Sequence, residues 1–266
     1  MALDLLDPYR ESASLIHRSD ARVKLALALL LILAIQVTPV AAWPVHVGYL
    51  GLILAAILLA RLSPLRVVGR SALALPFVFM AAAGLPFVRD GEPLVKLDML
   101  GLPVTMTDVG LLRFANILLK AWLSVLVSVT LIFTTHFTAL VRAMRSFGVP
   151  LVLTSVIAMM YRYLFVLVDE TRRLMTAREA RSAEPEGGRA GRSLWWRAQV
   201  TGNMIGTLFL RTYERSERIY NAMLARGFSG EIRVLHENRL ARRELGVAST
   251  VAVLLVAAAA LANVAW

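Results

Sequence analysis

Two arginines stand in matching surroundings late in the sequence. In Ala180-Arg181-Ser182 and in Ala225-Arg226-Gly227, one small residue precedes the arginine and another follows it. Each triplet reads as a helix end: Asn221 to Arg226 suit a final turn, and Gly227 suits the left-handed cap that follows one. An arginine left at such a tip is a planar, permanently charged fork, fitted to a carboxylate or to backbone carbonyls on a partner. The small neighbours let that partner come close. The plainer reading of either triplet alone is that arginine complements the dipole at a helix C-terminus. Two matching ends in one segment favour docking.

The other residues able to do chemistry are scattered. His17, His46, His136 and His236 form no pair at metal-ligand spacing, so each is expected to be a loop or interface residue and no metal site is expected. Cysteine is absent, which excludes a disulfide framework, a thiolate metal site and a thiol nucleophile. "GRAGR" (188–192) lacks the glycine spacing of a phosphate loop, so this chain is not expected to bind ATP itself. In "RSLWWR" (192–197) arginines flank a tryptophan pair. Base stacking is one use of such a pair; anchoring a helix at lipid headgroups is the favoured one, with no nucleic acid involved.

The elements that position these residues follow from hydropathy. Over 266 residues, 58% are hydrophobic, and the mean hydropathy is +0.66. That is beyond the range of a soluble domain. The apolar residues come in blocks of membrane length, at about 24–42, 45–60, 71–88, 114–135 and 246–265. The net charge of +11 lies mainly between those blocks, where cytoplasmic loops explain it. Asp4, Asp7 and Glu11 at the start argue against a cleaved signal peptide and for an uncleaved first helix.

Loop charges set the orientation. Arg18, Arg22 and Lys24 before the first block, and Arg61, Arg66 and Arg70 between the second and third, place both regions in the cytoplasm. The 43–45 turn and the 89–113 loop then fall outside. Residues 149–168 are apolar enough to span, but a span there would export 169–245, which holds fifteen arginines against ten acidic residues. Arg162 would also lie in hydrocarbon. Residues 149–168 are therefore read as the start of a cytoplasmic helix. The reading is an all-α membrane protein of about five transmembrane helices, with a cytoplasmic helical coupling domain inserted before the last. It divides into 1–135 (four spans), 136–245 (coupling domain) and 246–266 (final span).

Within the insert, 136–147 forms a short amphipathic helix stopped by Gly148 and Pro150. A second helix runs from about 151 to 182 and is stopped by Pro185; "AEPEGGRAG" is a loop. The third occupies about 192–226, with Ile205, Leu208, Phe209, Thr212, Ile219 and Met223 on one stripe and Glu214 spaced to pair with Arg218.

These features together resemble a known family. The paired Ala-Arg-small ends are similar to the coupling motifs of the transmembrane T component of energy-coupling factor transporters. "MYRYLFVLVDETRRLMTAREARSAEP" (160–185) and "GTLFLRTYERSERIYNAMLARGFSG" (206–230) resemble blocks of the CbiQ branch, which serves cobalt uptake. "HRSDARVKL" (17–25) resembles that family's Asp-Pro-Arg-x-Lys-Leu approach to the first span, with Ala21 in place of proline. Ser182 stands where the first motif often has glycine, and it keeps that end small.

The resemblance implies a division of labour. The T component joins a substrate-binding membrane subunit, which holds the cobalt ion, to two ATP-hydrolysing subunits. Ala180, Arg181 and Ser182 would engage one ATPase, and Ala225, Arg226 and Gly227 the other. The chain itself would be no enzyme and would bind no cofactor or metal, in the inner (cytoplasmic) membrane of the cell with its N-terminus inside. Nickel or vitamin uptake by the same kind of component is the alternative. A stand-alone secondary transporter would show inverted repeats, which are not seen here. An intramembrane enzyme is disfavoured because none of the five blocks contains Asp or Glu.

Overall fold

The computed structural model describes residues 14–87, 93–99, 102–181, 194–230 and 242–265. In chain order the elements are α1 (Leu15–Arg18), α2 (Ala21–Val37), α3 (Trp43–Leu59), α4 (Pro64–Ala72), α5 (Leu75–Ala82) and a 3-10 turn, Leu85–Phe87. Then come β1 (Pro93–Met99), β2 (Leu102–Thr107), α6 (Asp108–Thr134), α7 (Phe137–Ser146), α8 (Leu151–Arg181), α9 (Leu194–Ala225) and α10 (Arg242–Ala265). The chain forms two compact units, residues 1–143 with 238–266, and residues 144–237.

The first unit is a helical bundle whose core joins Leu31 and Ile35 of α2, Ile53 and Ile57 of α3, Leu123 and Leu126 of α6, and Leu255 of α10. α2 starts where it does because Asp20 caps it: the carboxylate accepts from the Arg22 amide at 2.8 Å. The turn into α2 thus forms with Ala21 in the position of the family's proline. The Asp20 amide in turn donates to the Glu244 carboxylate of α10 at 3.3 Å.

α2 and α6 are pinned to each other reciprocally. Lys24, in the first turn of α2, donates from Nζ to the carbonyl of Thr134 at the end of α6 (2.9 Å). Lys120 of α6 donates to the carbonyls of Thr38 (2.6 Å) and Gln36 (3.1 Å) at the end of α2. Fourteen residues separate Lys24 from Thr38, and fourteen separate Lys120 from Thr134. The last carbonyls of a helix have no partner within it and carry its negative pole, so an ammonium there meets both needs at once. α2 thus exchanges caps with the second half of the longer α6, from Lys120 to Thr134.

α4 is held on α6 by side chains of mixed character. Trp122 donates from its indole N–H to Ser71 Oγ at 3.1 Å, and the Arg70 guanidinium lies 5.2 Å from the centre of the Phe133 ring. α3 closes with the Leu62 amide donating to the Ile57 carbonyl and Arg61 at φ 54°, a left-handed position usually given to glycine. His46 is a core residue rather than a loop residue. It is 2% exposed, and its Nδ1 donates to the Ala42 carbonyl at 3.0 Å.

The region expected as an outer loop, 89–113, contains more structure than that. β1 and β2 pair antiparallel, with Lys96 opposite Thr105, Leu97 opposite Val104 and an irregularity between Pro93 and Val95. The sequence Val95-Lys96-Leu97-Asp98-Met99 alternates with the period of a strand. β2 runs directly into α6, where Thr107 Oγ1 accepts from the Gly110 amide at 3.3 Å. At Gly110 the 3-10 turn comes so close that a Cβ would lie 2.6 Å from the Leu85 carbonyl oxygen and 3.0 Å from that of Pro86. Gly110→Ala is therefore expected to cost about 1–3 kcal/mol through backbone displacement. Alanine's better helix propensity would act the other way, so a rise in the thermal midpoint in detergent would show that no such clash exists.

Four helical runs are long and apolar enough to cross a membrane by length and composition: Pro64–Phe87, Asp108–Thr134, Leu151–Arg181 and Glu244–Ala265. Trp43–Leu59 is a shorter apolar helix, and α2 has 17 residues. Apart from the β1–β2 hairpin, the chain is an all-α, multi-pass membrane protein. The expected third span is broken into α4, α5 and the 3-10 turn, with Pro76 in the first turn of α5. The break between α2 and α3 falls at 38–42 rather than at 43–45, because Pro44 suits the first turn of α3. The start of α8, read from the sequence as cytoplasmic, meets the length and composition test for a span.

Candidate functional site

The second unit holds both arginine triplets on a pair of long helices. α8 has 31 residues and α9 has 32. They run antiparallel. Glu170 accepts from Arg211 at 2.8 Å, and nearer the start of α8 Ser155 Oγ donates to the Gly230 carbonyl at 3.4 Å. The ion pair therefore runs between helices, not along α9 from Glu214 to Arg218. Met204, Leu208, Thr212, Ile219 and Met223 form the half-buried stripe of α9. Ile205 and Phe209, expected on that stripe, are 62% and 67% exposed on a neighbouring one.

Between the helices lies an open groove of about 410 Å³. Its floor includes Met159, Tyr163, Leu167, Ile219 and Met223, and Glu170 and Arg211 stand beside it. The groove gives the pair an apolar seam with the ion pair at its margin.

Arg181 is the last residue of α8, and both it and Ala180 are exposed. Ser182 lies outside the described residues. Ala225 is the last residue of α9; Arg226 and Gly227 form the turn beyond it, and all three are exposed. The α9 end is built by a specific cap. Gly227 has φ +80°, its amide donates to the Leu224 carbonyl at 3.0 Å, and the Phe228 amide donates to the Met223 carbonyl at 3.0 Å. This double closure satisfies the last carbonyls with backbone alone and leaves the Arg226 side chain for another role. The same closure ends α7, at Gly148 (φ +85°).

The structure does not bring the two arginines together. From the Glu170–Arg211 crossing, Arg181 lies eleven residues along α8, and Arg226 lies fifteen residues along α9 in the opposite direction. At 1.5 Å per residue the path between the tips is roughly 40 Å. The pair thus offers two separate cationic ends rather than one composite pocket. Among the described residues no group of three or more His, Asp or Glu side chains is placed to hold a metal ion.

The described residues thus combine several membrane-length apolar helices with a long antiparallel helix pair. The family model for the cobalt transport protein CbiQ matches residues 12–236, and the chain belongs to that family. Among curated relatives, the cobalt transport protein CbiQ of Rhodobacter capsulatus is 28% identical over 163 residues, covering 60% of this chain and 64% of that one. The energy-coupling factor transporter transmembrane protein EcfT of Acidaminococcus fermentans is 28% identical over 235 residues, covering 85% and 83%. A putative ABC transporter ATP-binding protein of Bifidobacterium longum is 29% identical over 261 residues, which is 93% of this chain but 32% of that protein. The chain spans less than two thirds of the length of the first curated relatives it matches. The matched range, residues 12–236, takes in both arginine triplets.

Proposed function

We propose that this chain is the transmembrane coupling component of an energy-coupling-factor importer for cobalt ions. It joins two ATP-hydrolysing subunits to a membrane subunit that binds the ion, and it is itself neither an enzyme nor the holder of a metal or cofactor. The observation that carries the reading is the placement of Arg181 and Arg226 at opposite ends of one antiparallel helix pair. Two exposed guanidinium tips suit two docking events, one on each ATPase, and the helices between them carry the motion of the ATPases to the bundle.

Three further observations support it. The relatives named CbiQ and EcfT are named as transport proteins. In the Bifidobacterium protein, a region like nearly all of this chain makes up a third of a protein named as ATP-binding. Arg61, between α3 and α4, and Arg66 and Arg70, on α4, fit a cytoplasmic side that also carries the N-terminus and α8–α9, in the inner membrane.

The test is purification of the intact chain from membranes of cells that express it at native level, with bound proteins identified by mass spectrometry. An ATPase and a small membrane subunit are expected together, and cobalt binding is expected in the latter. Recovery of the chain alone, or cobalt held by the chain without its partners, overturns the reading.

A further inference from the structure

α9 carries an apolar face that α8 does not cover. At 100° per residue Leu194, Trp195, Ile205, Phe209 and Tyr213 fall within an arc of about 100°. They are 84%, 80%, 62%, 67% and 56% exposed. The half-buried stripe that meets α8, with Met204, Leu208 and Thr212, lies to one side of this arc. Asn203, Thr207 and Arg211 lie on the far side, all exposed. The first five turns of α9 therefore have two apolar faces, and only one is used inside the unit.

We propose that this second face lies in the headgroup region of a bilayer containing anionic lipid, with Trp195 as its anchor. A bilayer is the one partner whose presence the chain's own spans guarantee. The composition also fits: tryptophan and tyrosine rings with leucine, isoleucine and phenylalanine on one side, and arginine on the other, make the pattern of a helix lying in the interface. Charge agrees with an anionic surface, since residues 144–237 hold fourteen arginines against nine acidic residues. This inference does not rest on ATPase coupling, because it concerns the chain alone in lipid.

The absence of cysteine makes the test direct. Ile205→Cys and Phe209→Cys, with Asn203→Cys and Thr207→Cys as the opposite face, are each labelled with a nitroxide on the full chain. The chain is reconstituted in phosphatidylcholine–phosphatidylglycerol vesicles, and collision with oxygen and with a water-soluble nickel chelate is measured. The expected result is a reversal between faces: 205 and 209 meet oxygen more than nickel, and 203 and 207 the opposite. Removing phosphatidylglycerol should shrink that contrast. Equal nickel access at all four positions overturns the proposal. So does shielding of 205 and 209 that occurs only when a partner protein is added, which would make the arc a protein-docking surface.

Discussion

Lys120→Met is expected to destabilise the membrane bundle by about 1.5–3 kcal/mol, because a charged hydrogen-bond donor is worth that much and its loss leaves two helix-end carbonyls unpaired. The Thr38 and Gln36 carbonyls that it serves, at 2.6 and 3.1 Å, are end carbonyls of α2 and have no partner in their own helix. Methionine keeps the length of the stem, so the loss isolates the ammonium from packing. The opposing term is real. A cation in the middle of a spanning helix is costly, and replacing a buried charge by an apolar group sometimes stabilises. Here the short contact and the pole of α2 favour the charge. In detergent, the thermal midpoint should fall by roughly 5–10 °C. Lys24→Met removes the mirror contact to Thr134 and should act in the same direction. A midpoint that rises in either variant would show that desolvation outweighs the caps.

This lysine also marks a limit of sequence reading. Block hydropathy averages one cation among many apolar residues, so the span through α6 was legible and its polar pin was not. What Lys120 meets depends on α2 ending at its level, a fact of tertiary register. Local signals served better. Asp20, two residues before the first amide it caps, announces α2; Gly148 and Gly227 announce the ends of α7 and α9 through their left-handed backbone. The β1–β2 hairpin was legible in principle, since its alternation is on the page, but flanking charge made it read as loop. The helix-pair register was beyond reach. Glu214 and Arg218 have the spacing for a pair along one helix, yet Arg211 goes to Glu170 because the antiparallel crossing brings a carboxylate from 41 residues away. The same cause divided the α9 stripe in two: periodicity shows which residues share a face, not which of two apolar faces meets α8.

The largest functional effect is expected from Arg181→Ala combined with Arg226→Ala. Cobalt uptake by cells expressing the complete set of subunits should fall by at least about tenfold, with the chain still inserted and folded. Both tips are exposed, and the α9 end is closed by the Gly227 and Phe228 amides. Truncating Arg226 therefore leaves the end of α9 intact. A charge-assisted hydrogen bond to a partner is worth about 1.5–3 kcal/mol, and 1.4 kcal/mol is a factor of ten in affinity. Either single variant should already reduce uptake, because tips roughly 40 Å apart cannot substitute for each other. Arg→Lys at both tips keeps the charge but loses the planar fork, so it should restore uptake only in part. Arg172→Ala is the control. Its partner Asp169 lies 4.0 Å away on an exposed surface, a pair worth little. ATP hydrolysis continuing without uptake in the double variant would place the tips in transmission as well as in assembly. Wild-type uptake with both arginines removed would return them to the plainer role of complementing two helix dipoles.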